Sequence, residues 1–168
     1  MDEAPGIGLT IPFFAEPLRI TRIVLDYTGT LSFHGRLIPG VQERLGRLHE
    51  LVKIDVLTAD SSETATRELG GMPFLGLRIF EELEHHDLRK RDHAEKHNAS
   101  HIAAFGNGNN DVLLLKTVKD AGGLAVAVDN GEGCSVEAMQ NANIFIVGIV
   151  NALDLLIEQT WCKATLRR

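Results

Sequence analysis

Short runs of branched apolar residues recur along the chain, and between them the apolar positions switch to helical spacing. Residues 20–25, 54–57, 75–80, 101–105, 124–128 and 144–147 read as strands. Val41, Leu45 and Leu48 share one face of a helix over about 41–51, and Val112, Leu115 and Val118 share one face of another. A last amphipathic helix is expected over 150–160. Strands alternating with helices predict a doubly wound, mostly parallel sheet in three α/β/α layers. Such sheets bind ligands at the carboxyl ends of their strands, so the residues closing each run carry the most information.

The first run closes as Ile23-Val24-Leu25-Asp26-Tyr27-Thr28-Gly29-Thr30-Leu31. That puts a carboxylate at the sheet edge, followed by a turn in which Gly29 lets the backbone approach a small anion. The second run closes as Leu57-Thr58-Ala59-Asp60, and a hydroxyl there can donate to a phosphoryl oxygen. Ser61 or Ser62 is placed to cap the next helix, which should end at Gly70-Gly71. A charged segment over 81–98, helical from about Asp87, carries Lys90 and Lys96. The 101–105 run leads into Gly106-Asn107-Gly108-Asn109-Asn110-Asp111. Glycines at a strand end, then amides and an acid opening a helix, suit a cation and a phosphate together. Between Leu31 and Pro39 a small hairpin with His34-Gly35 at its tip is expected.

The Asp26 to Leu31 stretch resembles the first signature of the haloacid dehalogenase (HAD) superfamily of phosphotransferases. It is closer still to the phosphorylation loop of P-type ATPases, where threonine stands two places after the nucleophile. Thr58 matches the second signature. Lys90 or Lys96 supplies the third, and the spacing to Gly106 favours Lys90. The loop from Gly106 to Asp111 resembles the fourth, with Asn107 in place of its first acid and Asn110 and Asp111 matching. The resemblance covers about residues 19–156 and points to a capless HAD-like domain, similar to soluble, stand-alone P-type-ATPase-like catalytic cores.

It implies that Asp26 attacks phosphorus and that Mg²⁺ is held by Asp26, the backbone carbonyl of Thr28 and Asp111, with Asn107 orienting a metal-bound water. Thr58, Ala59, Lys90 and Asn110 then surround the phosphoryl group. The hairpin takes the place of the flap over the nucleophile. Thr28 stands where most HAD phosphatases carry a second aspartate as general acid and base, so slow turnover or a long-lived aspartyl phosphate is expected. Two rival readings stay open. One is a non-catalytic phosphate- or Mg²⁺-binding module that keeps the pocket. The other is a dinucleotide site at 106–111, which lacks a full glycine fingerprint.

A chain of 168 residues, 44% hydrophobic and 24% charged, suits one domain: a core over about 19–160, a leader over 1–17 with an edge strand near 9–11, and a basic tail over 161–168. No apolar run is long enough to span a bilayer and no secretory signal is visible, so a cytoplasmic setting is expected. Cys134 and Cys162, without CxxC spacing, fit a reducing compartment. A net charge of −6 argues against a broad nucleic-acid surface. About thirty residues separate Asp26 from Thr58, and about as many separate Thr58 from Lys90, which leaves no room for a cap. The expected partner is therefore a small phosphorylated substrate, an exposed phosphate on a larger molecule, or a second subunit covering the site in a homo-oligomer. His93 and His97 are four apart, a zinc-compatible spacing. No third ligand is evident in the sequence, and exposed histidines on a polar helix are expected.

Overall fold

A computed structural model of the chain describes residues 4–59, 63–80 and 85–168. Asp60, the Ser61 and Ser62 cap, and the start of the charged segment at 81–84 lie outside the described residues. In chain order the elements begin with β1 (Ile7–Leu9), β2 (Leu18–Ile20), β3 (Arg22–Asp26), β4 (Ser32–Phe33) and β5 (Arg36–Leu37). Next come α1 (Val41–Leu48), β6 (Lys53–Thr58), α2 (Thr64–Leu69), β7 (Leu75–Ile79) and α3 (His86–Lys96). The chain continues through β8 (Ile102–Gly106), α4 (Val112–Asp120), β9 (Leu124–Asp129), α5 (Val136–Gln140), β10 (Ile144–Val147), α6 (Ile149–Ile157) and α7 (Gln159–Leu166).

A 6-stranded sheet in the order β10-β9-β8-β3-β6-β7 forms the middle layer. Every pairing in it is parallel. Side-chain alternation divides its residues between two cores. Ile23, Leu25, Ile54, Val56, Ala103, Phe105 and Val126 pack with α1 and α6 residues such as Leu45, Leu48, Leu153 and Leu156. Val24, Leu57, Ala104 and Ala125 pack with Ala94 of α3, Leu114, Leu115 and Val118 of α4, and Ala138 of α5. Covering on both faces explains why the strands read as continuous apolar runs.

Register sets the site. Asp26 sits opposite Leu57, one residue before Thr58, and Leu25 sits opposite Phe105, one residue before Gly106. Asp26, Thr58 and the Gly106 loop therefore emerge at one edge. Asp26 also shares the face of Val24, toward α3 and α4.

Several boundaries depart from the sequence reading. The 20–25 run is split at Thr21, whose N–H and carbonyl bond to His101 and Lys53 instead of extending one strand. The edge strand expected near 9–11 lies at Ile7–Leu9 and pairs antiparallel with β2 outside the main sheet. The helix expected over 150–160 is two helices, broken at Glu158 (φ −104°, ψ 73°). The tail is α7, anchored by the buried Cys162. Positive φ at His34 (49°) and Gly35 (75°) turns the β4–β5 hairpin where the sequence put its tip.

Candidate active site

Asp26 ends β3 and is almost fully buried, as are Lys90 from the first half of α3 and Asp111 just ahead of α4. The Lys90 ammonium bridges the two acids, donating to Asp26 Oδ1 at 2.6 Å and to Asp111 Oδ1 at 2.7 Å. Its third proton finds no acceptor among the described residues. Lys96, the rival from the sequence, is exposed at the end of α3.

Two carboxylates share one cation here, and the electrostatics follow. Burial first, and then the Asp111 charge, push the Asp26 carboxyl up from 3.8 to about 7, against the pull of Lys90. Burial alone would lower Lys90, but Asp111 and Asp26 outweigh it and hold the ammonium above its ordinary value. Asp111 Oδ2 accepts the backbone N–H groups of Asn107 and Gly108, both at 3.0 Å, which pins the loop. A side chain at Gly106 would collide with Asp111, so the close approach of loop and helix start requires glycine there.

The turn after Asp26 is wound around the Tyr27 carbonyl, which accepts the N–H groups of Thr30, Leu31 and Ser32. Gly29 has φ 75°, and a Cβ on it would run into the Asn107 amide. Two residues that the sequence reading did not single out brace this turn. The buried Thr30 hydroxyl lies 3.4 Å from Asp26 Oδ2 and donates to Asn107 Oδ1 at 3.2 Å. Asn130, after β9, donates to the carbonyls of Gly29 and Thr30 and accepts from the N–H of Ile149. The second threonine of Thr-Gly-Thr and the Asn130-Gly131 pair were the available signals. Asn130 also lines an open, mainly apolar cleft of about 470 Å³ between the hairpin and the ends of β9 and β10.

Thr58 is buried at the end of β6, and its hydroxyl has no hydrogen-bond partner among the described residues. A buried, unpaired hydroxyl beside a strand-end carboxylate has the character of a donor kept for a ligand. Ala59 follows half-buried, while Thr28 and Asn110 are exposed at the mouth of the site. Asn107 has its side-chain oxygen engaged by Thr30 and donates its amide to Gly133 at 3.3 Å.

The donor set suits a hard divalent cation. Its acceptors are carboxylate oxygens, Thr30 approaches Asp26 Oδ2 only at 3.4 Å, and the two acids outnumber the one ammonium they share. Asp26 and Asp111 are the side chains that could hold it.

No protein-family model matches the chain. It is 36% identical over 91 residues to the uncharacterized protein MJ0073 of Methanocaldococcus jannaschii, covering 54% of this chain and 83% of that protein. Among solved structures it resembles the cobalt-bound deoxy-D-mannose-octulosonate 8-phosphate phosphatase of Haemophilus influenzae (TM-score 0.62, 14% identity, 89% of this chain and 94% of that one). It also resembles the Moraxella catarrhalis 3-deoxy-D-manno-octulosonate 8-phosphate phosphatase, solved with magnesium, phosphate and KDO (TM-score 0.61, 15% identity, 83% and 86%). A putative HAD superfamily subfamily IIIA hydrolase from Legionella pneumophila is similar as well (TM-score 0.61, 16% identity, 88% and 87%). At these identities the likeness is one of fold. No helix in the described residues is long and apolar enough to cross a membrane.

Proposed function

We propose that this chain, which belongs to one family with the archaeal protein MJ0073 and has the fold of the HAD-superfamily hydrolases, is a divalent-metal-dependent phosphohydrolase acting through Asp26. The observation that carries the reading is the Asp26–Lys90–Asp111 cluster, buried at the sheet edge beside the unpaired Thr58 hydroxyl. Metal-bound relatives in fold, one with cobalt and one with magnesium, support the cation.

A phosphate monoester repels a carboxylate nucleophile, so its charge must be offset before attack. Asp26, Asp111 and the Thr28 carbonyl would hold Mg²⁺, which would supply Lewis-acid charge neutralisation at the phosphoryl oxygens. Lys90 contributes its unused proton to the same oxygens and favours the ionised form of Asp26, against burial and the Asp111 charge. Thr58 donates its hydroxyl from the β6 end, with the Ala59 backbone beside it and Asn110 at the rim. Thr30 and Asn107 position the Asp26 carboxylate. As Asp26 forms a bond to phosphorus, the bond to the leaving oxygen breaks, and that oxygen takes its proton from solvent. Water then attacks phosphorus, losing a proton to solvent, as the phosphorus–oxygen bond to Asp26 breaks and the carboxylate is returned.

Thr28 offers no acid or base near neutral pH, so the aspartyl phosphate is slow to clear, as in a P-type-ATPase-like core. The same feature favours a second reading, a phosphate- and Mg²⁺-binding module without useful turnover. Incubation with Mg²⁺ and p-nitrophenyl phosphate separates the two. The enzymatic reading expects release of p-nitrophenol that is lost in Asp26→Asn. Saturable phosphate binding with no release from the wild type supports the module instead.

A further inference from the structure

At the other end of the same strands lies a second polar cluster, which the reaction above does not use. Asp55 is on β6, three residues before Thr58, and faces α3. His93, one helical turn beyond Lys90, is buried against it with Nε2 2.8 Å from Asp55 Oδ2. His97 caps α3, its ring centroid 4.6 Å from that of His93. Its Nε2 is buried and has no hydrogen-bond partner among the described residues. One donor atom from each of Asp55, His93 and His97 lies within 4.8 Å of the other two. This corrects the expectation of exposed histidines: His93 is buried and His97 half-buried, and the third candidate donor comes from a strand, 38 positions before His93.

The geometry points to a second metal site, for zinc or a similar first-row divalent ion, formed by Asp55, His93 and His97. Two imidazoles and one carboxylate are a donor set for such ions, whereas Mg²⁺ prefers oxygen alone. The last turn of α3 presents carbonyl dipoles that favour a cation. His93 binds as the tautomer carrying its proton on Nδ1.

The competitor is Arg22, whose guanidinium pairs with Asp55 Oδ2. A cleft of about 390 Å³, lined by Arg22, Lys53, His97, Asn98 and His101, opens beside it. That cleft gives the guanidinium somewhere to swing and the ion an entrance, with water completing the coordination. Arg22 thus gates the site, and its removal favours the metal.

The test uses the full-length chain carrying Asp26→Asn and Asp111→Asn, in millimolar Mg²⁺, so that the oxygen site takes no zinc. Zn²⁺ is titrated against a chromophoric chelator. One ion per chain is expected. His97→Ala should weaken it by at least about 10-fold, the lower bound even for losing a residue that only orients a ligand. Arg22→Ala should tighten it. Ring-nitrogen NMR of the unsubstituted histidines, recorded in parallel, should show zinc-dependent shifts at His93 and His97. Absence of stoichiometric binding, affinity unchanged by His97→Ala, or shifts confined to other histidines would overturn the assignment. The NMR arm decides the matter even if a variant fails to fold.

Discussion

Asp26 and Asp55 stand on neighbouring strands, face the same helix and pair with cations, yet they are displaced in opposite directions. Burial and Asp111 push Asp26 up to about 7. Burial also works against Asp55, but the hydrogen bond from His93 and the charge of Arg22 outweigh it and hold that carboxyl below its ordinary value. The difference is stoichiometric. At the carboxyl end of the sheet two acids share Lys90, and at the amino end one acid has a guanidinium and an imidazole. A cluster with surplus negative charge is built to be completed by something positive. A cluster whose charge is already met holds β3, β6 and α3 together until a metal outcompetes its arginine.

The largest effect that tests this contrast is on turnover. Asp26→Asn should lower phosphatase activity by about 10³-fold or more. Asp55→Asn should leave activity within about tenfold while destabilising the fold by about 1–3 kcal/mol, the usual cost of leaving hydrogen-bonding partners unmatched at a part-buried site. Steady-state kinetics and urea unfolding on the two variants read both numbers. Comparable activity losses would erase the distinction between the ends. Next, Lys90→Met should cost activity about 10²–10³-fold, the scale of losing one preorganised electrostatic donor. Lys96→Met, at an exposed position, should change stability by no more than about 0.5 kcal/mol and leave rates alone. Thr28→Asp should speed clearance of the phosphoenzyme by about 10²-fold, measured as single-turnover dephosphorylation.

The smallest effect is the most diagnostic of sign. Asp26 is raised, so the native state holds its proton more tightly than the unfolded chain. Its stabilising contribution is full below pH 3.8 and is lost as pH rises to about 7. Asp55 is lowered, so its contribution is present above the ordinary carboxylate value and is lost as pH falls through the depressed one. In metal-free protein, Asp26→Asn should therefore raise the melting temperature at pH 8 and do little at pH 4, while Asp55→Asn should lower it at pH 8. Melting curves at the two pH values check this, and equal shifts for both variants would contradict it.

Much of the carboxyl-end cluster was legible in the sequence because its chemistry is local. Asp26, Thr58 and the Gly106 loop each close a strand, and parallel register brings strand ends to one edge. Lys90 was harder, since a lysine in a charged helix carries no mark of burial. Its spacing to Gly106 and the family resemblance singled it out, and the structure puts it between the two acids. The amino end was not legible. Asp55 interrupts an apolar run and His93 sits on a polar helix, and only packing of α3 onto β6 makes them neighbours. Thr30 and Asn130 escaped notice because bracing a turn requires knowing which carbonyls and side chains face it. The break at Glu158 was hidden by continuous apolar spacing on both sides of it.

The central claim is covalent chemistry at one carboxylate. Incubating the chain with Mg²⁺ and acetyl phosphate, quenching in acid and locating the phosphate by peptide mass spectrometry tests it directly. The account predicts phosphate on the peptide containing Asp26 and none in Asp26→Asn. Phosphate at another residue, or turnover that persists undiminished in Asp26→Asn, would contradict it.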